Sequence, residues 1–398
     1  MKIIQRSIFP QLKNALGDRR IVVVTGMRRG GKTTTLRWLL EQEPSTNKTF
    51  LDLERLDQRA VFQESNYDLV LDYLRNRGLD LAQPLTVALD EIQYAPNLPS
   101  VVKYLYDHYD KIKFLLTGSS SFYLENYFSE SMAGRKVVFE MFPLSFGEFL
   151  DFRDIPYRKR AAWEEMRFDA FEFERLKNHY DEYVKFGGLP DVVLEPRPEA
   201  KREILNDVFS SYINMDVRAM ADFQKIGELQ QLLRLLALRI GNKLDISKLS
   251  QVVGISRPTL NEYLEFLEKT YVIYRLPAFA GADKAAALGK KLYFRDNGIA
   301  SILAQPGEGA LFENAVFNQL AERGSLAYIS RGSQYELVFV LTQPDEPPVG
   351  LEVKYHPVLT DAQKLQRIAQ KENLAGSWLV GRYPAPGFKD FVWGGLIF

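Results

Sequence analysis

The chain has no cysteine among its 398 residues, which excludes disulfides and cysteine-ligated zinc sites and suits a reducing compartment. Histidine is scarce: His108, His179 and His356 are scattered, so no histidine metal cluster is visible. Charge of one sign is not in excess, because Lys+Arg and Asp+Glu both number 51. That balance removes any global pull toward nucleic acid or membrane and leaves a local basic face open. No apolar run approaches the ~18–20 residues that a membrane span needs. The start, Met1 to Arg6, lacks the apolar core of a signal peptide. The expectation is a soluble cytoplasmic protein without membrane contact, long enough for two to four domains.

Against these absences one motif stands out. Gly26-Met27-Arg28-Arg29-Gly30-Gly31-Lys32-Thr33 is a full G-x-x-x-x-G-K-[ST] match. The apolar run Ile21–Thr25 precedes it, and the helix-forming run Thr34–Leu40 follows. Strand, glycine-rich loop and helix are the context that makes this pattern a P-loop. Gly26, Gly30 and Gly31 would let backbone N–H groups close around phosphates, and the helix start at Thr34 would add its partial positive charge. Lys32 would reach the β/γ-phosphates of ATP and Thr33 would hold Mg²⁺. Arg28 and Arg29 either contact phosphate or face solvent.

Four more strand-like runs follow, at 49–53, 85–89, 113–116 and 136–142. The second ends in Asp90-Glu91, so an apolar strand delivers two carboxylates. Asp90 would hold the Mg²⁺ water shell, and Glu91 would polarise the attacking water as general base. The third ends Thr117-Gly118-Ser119. A polar residue at the tip of a strand between the P-loop and Asp90 strands would touch the γ-phosphate or the water. Thr117 and Ser119 are candidates, with Ser119 preferred; an ordinary serine-rich turn is the alternative.

These segments, with Leu89–Gln93, Leu116–Ser120, Gly134-Arg135 and Pro143–Phe149, resemble prokaryotic AAA-family ATPases that carry a C-terminal domain of unknown function. The likeness spans nearly the whole chain, and that family is similar to the AAA+ and STAND group. The resemblance implies ATP and Mg²⁺ as cofactors and assembly into a homo-oligomer, a ring being one form. It also implies that Arg135 acts as an arginine finger in a neighbouring subunit, where the alternative is a turn-capping surface arginine. A finger of this kind is worth roughly 10³–10⁵ in rate. Gly188-Leu189-Pro190 resembles the G-x-P lid motif over the nucleotide base, so Gly188 and Pro190 join Arg29 and Thr34 as nucleotide contacts.

The expected fold is α/β. An ASCE-type P-loop parallel-sheet core covers 1–152, a helical lid 153–240, a winged helix-turn-helix 241–295 and a C-terminal α/β domain 296–398. In the third region Ser256 caps a helix with Pro258 in its first turn, and a strand pair follows. The helix start Arg257, Thr259, Asn261 and Glu262 would read DNA; packing against its own domains or neighbours is the alternative. In the last region Glu313 on a helix and Glu352-x-Lys354 on a strand resemble the PD-(D/E)xK restriction-endonuclease fold. There Val338 stands where the resemblance calls for an Asp, and an aliphatic side chain cannot ligate a hard cation. Catalysis by this domain is therefore expected to be lost. The leading functional expectation is an oligomeric ATPase remodelling or moving on DNA or a nucleoprotein. The alternatives are a STAND-like nucleotide switch acting on a protein partner and an ATP-dependent nuclease.

Overall fold

The computed structural model describes residues 3–64, 66–119, 132–217, 226–385 and 387–398. The chain divides into two compact units: Met1–Phe142 with Lys269–Tyr271, and Pro143–Glu268 with Val272–Phe398.

In the first unit, β1 (Ile21–Gly26), β2 (Lys48–Asp52), β3 (Leu85–Asp90), β4 (Ile112–Gly118) and β5 (Lys136–Met141) form a parallel sheet. Its order is β2-β3-β4-β1-β5. Every residue of β1 and β3 is buried, as strands covered on both faces require. Side chains alternate between two cores. Ile21, Val23, Val87 and Leu89 face the helices Asp68–Asn76 and Leu98–His108, while Val22, Val24 and Ala88 face Leu36 and Leu39 of the helix Lys32–Glu41. The helix Leu98–His108 buries Leu98, Val101, Val102 and Leu105 at helical spacing, each such side chain contributing about 1.5–3 kcal/mol. Because β4 lies between β1 and β3, three neighbouring strand tips open onto one edge of the sheet. They carry Gly26, Asp90 and Thr117-Gly118.

The second unit opens with the helix Phe146–Phe152, started by a capping box of Ser145 and Glu148. The expected boundary at 153 falls after this helix, yet the structure divides the chain after Phe142. The reason is packing: Phe146 and Phe149 meet Tyr183 tilted and edge-on, with ring centroids 5.5 and 5.8 Å apart. The regions expected as lid, helix-turn-helix and C-terminal domain lie in this one unit, save Lys269–Tyr271. The helices Ala170–Phe186 and Pro198–Ser211 fill the lid region, and the second runs into a π-helical stretch at Tyr212–Val217. Next come Ile246–Val253, a left-handed Gly254, and Arg257–Lys269, whose Thr259 N–H donates to Ser256 Oγ (3.2 Å). The antiparallel pair β6 (Ile273–Leu276) and β7 (Lys291–Phe294) follows.

The last part is a helix, Glu308–Ala321, and a mixed sheet of β8 (Ser325–Ser330), β9 (Glu336–Thr342), β10 (Val349–Lys354), β11 (Gly376–Gly381) and β12 (Phe391–Trp393). Strands β8, β9 and β10 are antiparallel neighbours; β10, β11 and β12 run parallel, with the helix Leu359–Lys371 as the crossover. Buried amides tie this region together. Asn314 donates to Phe294 O (2.9 Å) and accepts from Phe294 N (2.8 Å), and Gln319 donates to Gly394 O and Ile397 O (3.0 and 2.6 Å). No helix among the described residues is long and apolar enough to cross a membrane.

Candidate active site

The P-loop leaves β1 at Gly26, whose φ of +145° and close approach to β5 admit only glycine. A Cβ there would stand 2.2 Å from Met141 O. Gly30 N–H turns back to Met27 O (3.1 Å), and Arg29 and Gly31 are left-handed (φ 62° and 97°). The helix then begins at Lys32, with Thr33 and Thr34 in its first turn. Lys32 is buried, and its Nζ donates to Met27 O (3.0 Å). Arg28 reaches Tyr94 OH (3.4 Å). Arg6 supports the loop from below: buried, it donates to Gly30 O (3.3 Å) and to Phe142 O just past β5 (2.8 Å). A lone arginine ahead of the first helix carries no sequence signal for that task.

The structure brings the Asp90-Glu91 pair to this loop. Asp90 is buried, and burial pushes its carboxyl up from the ordinary value. Hydrogen bonds from Thr117 and Thr33 oppose that shift, Glu91 adds to it, and Lys32 counters it. Thr117 Oγ1 donates to Asp90 Oδ1 and accepts the Glu91 backbone N–H (3.1 Å). Glu91 holds a left-handed backbone (φ 54°, ψ 54°), a conformation that costs a non-glycine residue of order 1–3 kcal/mol. Its carboxylate accepts a hydrogen bond from Gln93 Nε2, which also donates to Ser119 Oγ (3.0 Å). Of the two expected sensor candidates, then, Thr117 bonds Asp90 directly, while Ser119 meets Glu91 through Gln93. The sequence reading missed Gln93; its position two residues after Glu91 was the available signal.

One carboxylate and one hydroxyl at the loop, Asp90 and Thr33, fit a Mg²⁺ ion that takes its other ligands from water and phosphate. Among the described residues no group of three or more His, Asp or Glu is placed to hold a metal by protein ligands alone.

Arg135 lies elsewhere. It immediately precedes β5, and Ile21 pairs with Lys136 while Gly26 pairs with Met141. Six residues of strand, about 20 Å, separate Arg135 from the P-loop edge. Its guanidinium pairs with Asp107 (2.8 and 3.3 Å). Gly188 and Pro190 lie in the second unit, Pro190 opening the helix Pro190–Leu194. Gly188 N–H donates to Asp296 Oδ2 (2.8 Å) and its carbonyl accepts from Leu144 N (2.7 Å). A Cβ on Gly188 would stand 2.2 Å from Leu144 O, so close backbone packing explains this glycine. Asp296 is buried, and burial lifts its carboxyl to about 6 against the N–H donors of Gly188, Ile299 and Gly298.

The second unit has a carboxylate cluster of its own. Tyr293 OH donates to the half-buried Glu313 (2.7 Å), whose carboxyl desolvation pushes up and Lys291 pulls down. Lys291 Nζ stands 2.5 Å from Glu336, and Lys354 Nζ stands 2.8 Å from the buried Glu352. Lys243 donates to Ser330 Oγ (2.8 Å). Val338 is buried within β9.

A parallel sheet of this order, with a P-loop, paired carboxylates and a polar strand tip on one edge, is the arrangement of a P-loop ATPase. Residues 18–150 match the family described as "AAA domain", and residues 177–308 match a domain of unknown function (DUF8612). An uncharacterised protein of Methanocaldococcus jannaschii, MJ1544, is 28% identical over 353 residues, covering 85% of this chain and 75% of its own. An uncharacterised Haemophilus influenzae protein is 26% identical over 341 residues, covering 82% and 80%. Among solved structures, the Walker-type ATPase PABY2304 of Pyrococcus abyssi superposes with a TM-score of 0.50 at 16% identity, covering 76% of this chain and 96% of its own. The chain is an ATPase.

Proposed function

We propose that this ATPase works with Mg²⁺, in an assembly of several copies, and spends its cycle on DNA or a nucleoprotein. Thr33 and Asp90 would hold the ion, which would neutralise charge on the phosphates when bound. Lys32 and the backbone N–H groups at the start of its helix bind the phosphate oxygens. Glu91 orients the attacking water and takes its proton. Thr117 holds Asp90 and the Glu91 backbone in register. Arg135, at the far edge of its own sheet, would serve a neighbouring copy's site.

The nucleic-acid part rests on one observation: the start of the helix Arg257–Lys269 is open to solvent. Arg257, Asn261 and Glu262 are exposed and Thr259 is half-buried, as a groove-reading helix of a winged helix-turn-helix requires. The helix–three-strand–helix–strand succession from Glu308 to Gly381 supports a nuclease-like fold for the last region. Buried Val338 argues that it keeps no metal chemistry. The test is fluorescence anisotropy with duplex, branched and single-stranded DNA across a salt series, alongside mass with and without ATP. Binding that weakens steeply with salt supports the proposal; no binding to any of these at low salt overturns its DNA part. Mixing Arg135→Ala with Glu91→Gln chains tests the shared site: turnover equal to the summed separate activities rejects a finger in trans.

A second reading, a nucleotide switch acting on a protein partner, would use the same P-loop with Asp90 and Glu91. It expects nucleotide retained through purification; fast turnover stimulated by DNA argues against it.

A further inference from the structure

We propose that Gln93 is a positioning residue for the hydrolytic step, an amide clamp that couples the Glu91 carboxylate to the tip of β4 through Ser119. The inference rests on the reading of Glu91 as general base and adds what directs that base.

The geometry has three parts. First, the Glu91 main chain is pinned, left-handed and bonded through its N–H to Thr117 Oγ1. Its side chain is therefore the free variable of the site. Second, the short helical turn Ile92–Tyr94 sets Gln93 two residues on, with Nε2 donating to Glu91 Oε2 and to Ser119 Oγ at once. Third, the other end of the same amide, Oε1, is buried with no hydrogen-bond partner among the described residues. A Cβ at Gly118 would stand 3.4 Å from that oxygen, so the amide lies close against β4.

A glutamine used as packing would satisfy its oxygen as well as its nitrogen, since buried polar groups are rarely left unpaired. Here, among the described residues, the two acceptors set the orientation. An amide held only by its donors is sensitive to either acceptor. If Ser119 turns toward a γ-phosphate, Gln93 keeps one partner, the Glu91 carboxylate. The strand tip that senses the phosphate and the carboxylate that activates water are thus joined by one movable group.

The test is steady-state ATPase kinetics of full-length Gln93→Leu and Gln93→Glu, with fluorescent-ATP binding and thermal melting on each. Gln93→Leu removes both donors. It is expected to lower kcat roughly 10–100-fold, the scale of a misplaced catalytic group, with ATP affinity within twofold. Gln93→Glu keeps the shape, reverses the polarity and guards against misfolding of the leucine variant; it should lose more activity, again with ATP affinity within twofold. Ser119→Ala combined with Gln93→Leu should lose no more than Gln93→Leu alone. A Gln93→Leu protein with wild-type kcat overturns the proposal. So does a fall in kcat matched by lost ATP affinity or melting temperature in both variants. A Glu91→Gln control separates the two layers: if it retains wild-type turnover, the base assignment fails and the clamp with it. If Glu91→Gln is inactive while Gln93→Leu is unchanged, only the clamp fails.

Discussion

The two carboxylate clusters of this molecule are built from similar residues and reach opposite ends. At the P-loop, Asp90 is buried against hydroxyls: Thr117 and Thr33 hydrogen bond to it, and Lys32 acts on it from within the loop. Hydroxyls stabilise a carboxylate without cancelling its charge, so the site keeps a net attraction for a hard cation and room for phosphate. In the second unit, Glu336, Glu352 and Glu313 meet lysines of the same chain, Lys291 and Lys354. An ammonium supplied by the protein already balances the charge there. The two clusters thus differ in what meets the carboxylate directly, hydroxyls at Asp90 and ammonium groups at Glu336 and Glu352.

The largest effect that bears on this contrast is chemical. Glu91→Gln should leave ATP binding intact and lower kcat by roughly 10²–10⁴, the span of general-base catalysis. Single-turnover hydrolysis checks it, and unchanged turnover would remove the P-loop cluster from the catalytic side of the comparison.

The next effect is a pH dependence in the second unit. Asp296 is fully buried with its carboxyl lifted to about 6 from 3.8. The folded chain therefore holds this proton over a window where the unfolded chain has lost it. Its contribution falls as pH rises from about 4 to about 6, by about 3 kcal/mol in total. Asp169 and Glu372 are shifted downward and act with the opposite sign. The measurement is therefore a difference, denaturant midpoints of wild type against Asp296→Asn from pH 4 to pH 7. A gap that does not change over that range breaks the argument that burial raises this carboxyl.

The smallest effect sharpens the comparison directly. Lys291→Met should destabilise by about 1–3 kcal/mol. That is below the 3–5 kcal/mol typical of a broken buried pair, because Glu336 is half-exposed and solvent screens it. ATPase turnover should not change. Wild-type protein should bind no Mn²⁺ at this cluster by paramagnetic NMR broadening; broadening around Glu313 and Glu352 would show that the lysines do not close it.

What could be read in advance differs between the two units for a physical reason. Gly26 to Thr33, Asp90 and Glu91 announce themselves because phosphate chemistry demands fixed residue types at fixed spacing along a short strand–loop–helix. The strands were legible too, since buried parallel strands are continuous apolar runs, as in Ile21–Gly26 and Leu85–Asp90. Gln93 and Arg6 were not. Each acts on a group distant in sequence or through one amide, and a single polar residue has no period. Gly188 carried a lid motif, while its visible constraint is contact with Leu144 and Asp296, partners 44 and 108 residues away.

From the residues alone came the nucleotide chemistry and the order of the strands that carry it. These depend on local pattern, where backbone period and side-chain type decide the outcome. Only the folded chain decided that Thr117 bonds Asp90 while Ser119 reaches Glu91 through Gln93. Only the folded chain put Arg135 at the far edge of its sheet and matched lysines to the carboxylates of the second unit. Those results turn on strand register and on distances of a few ångströms between residues far apart in the chain, which no local pattern encodes.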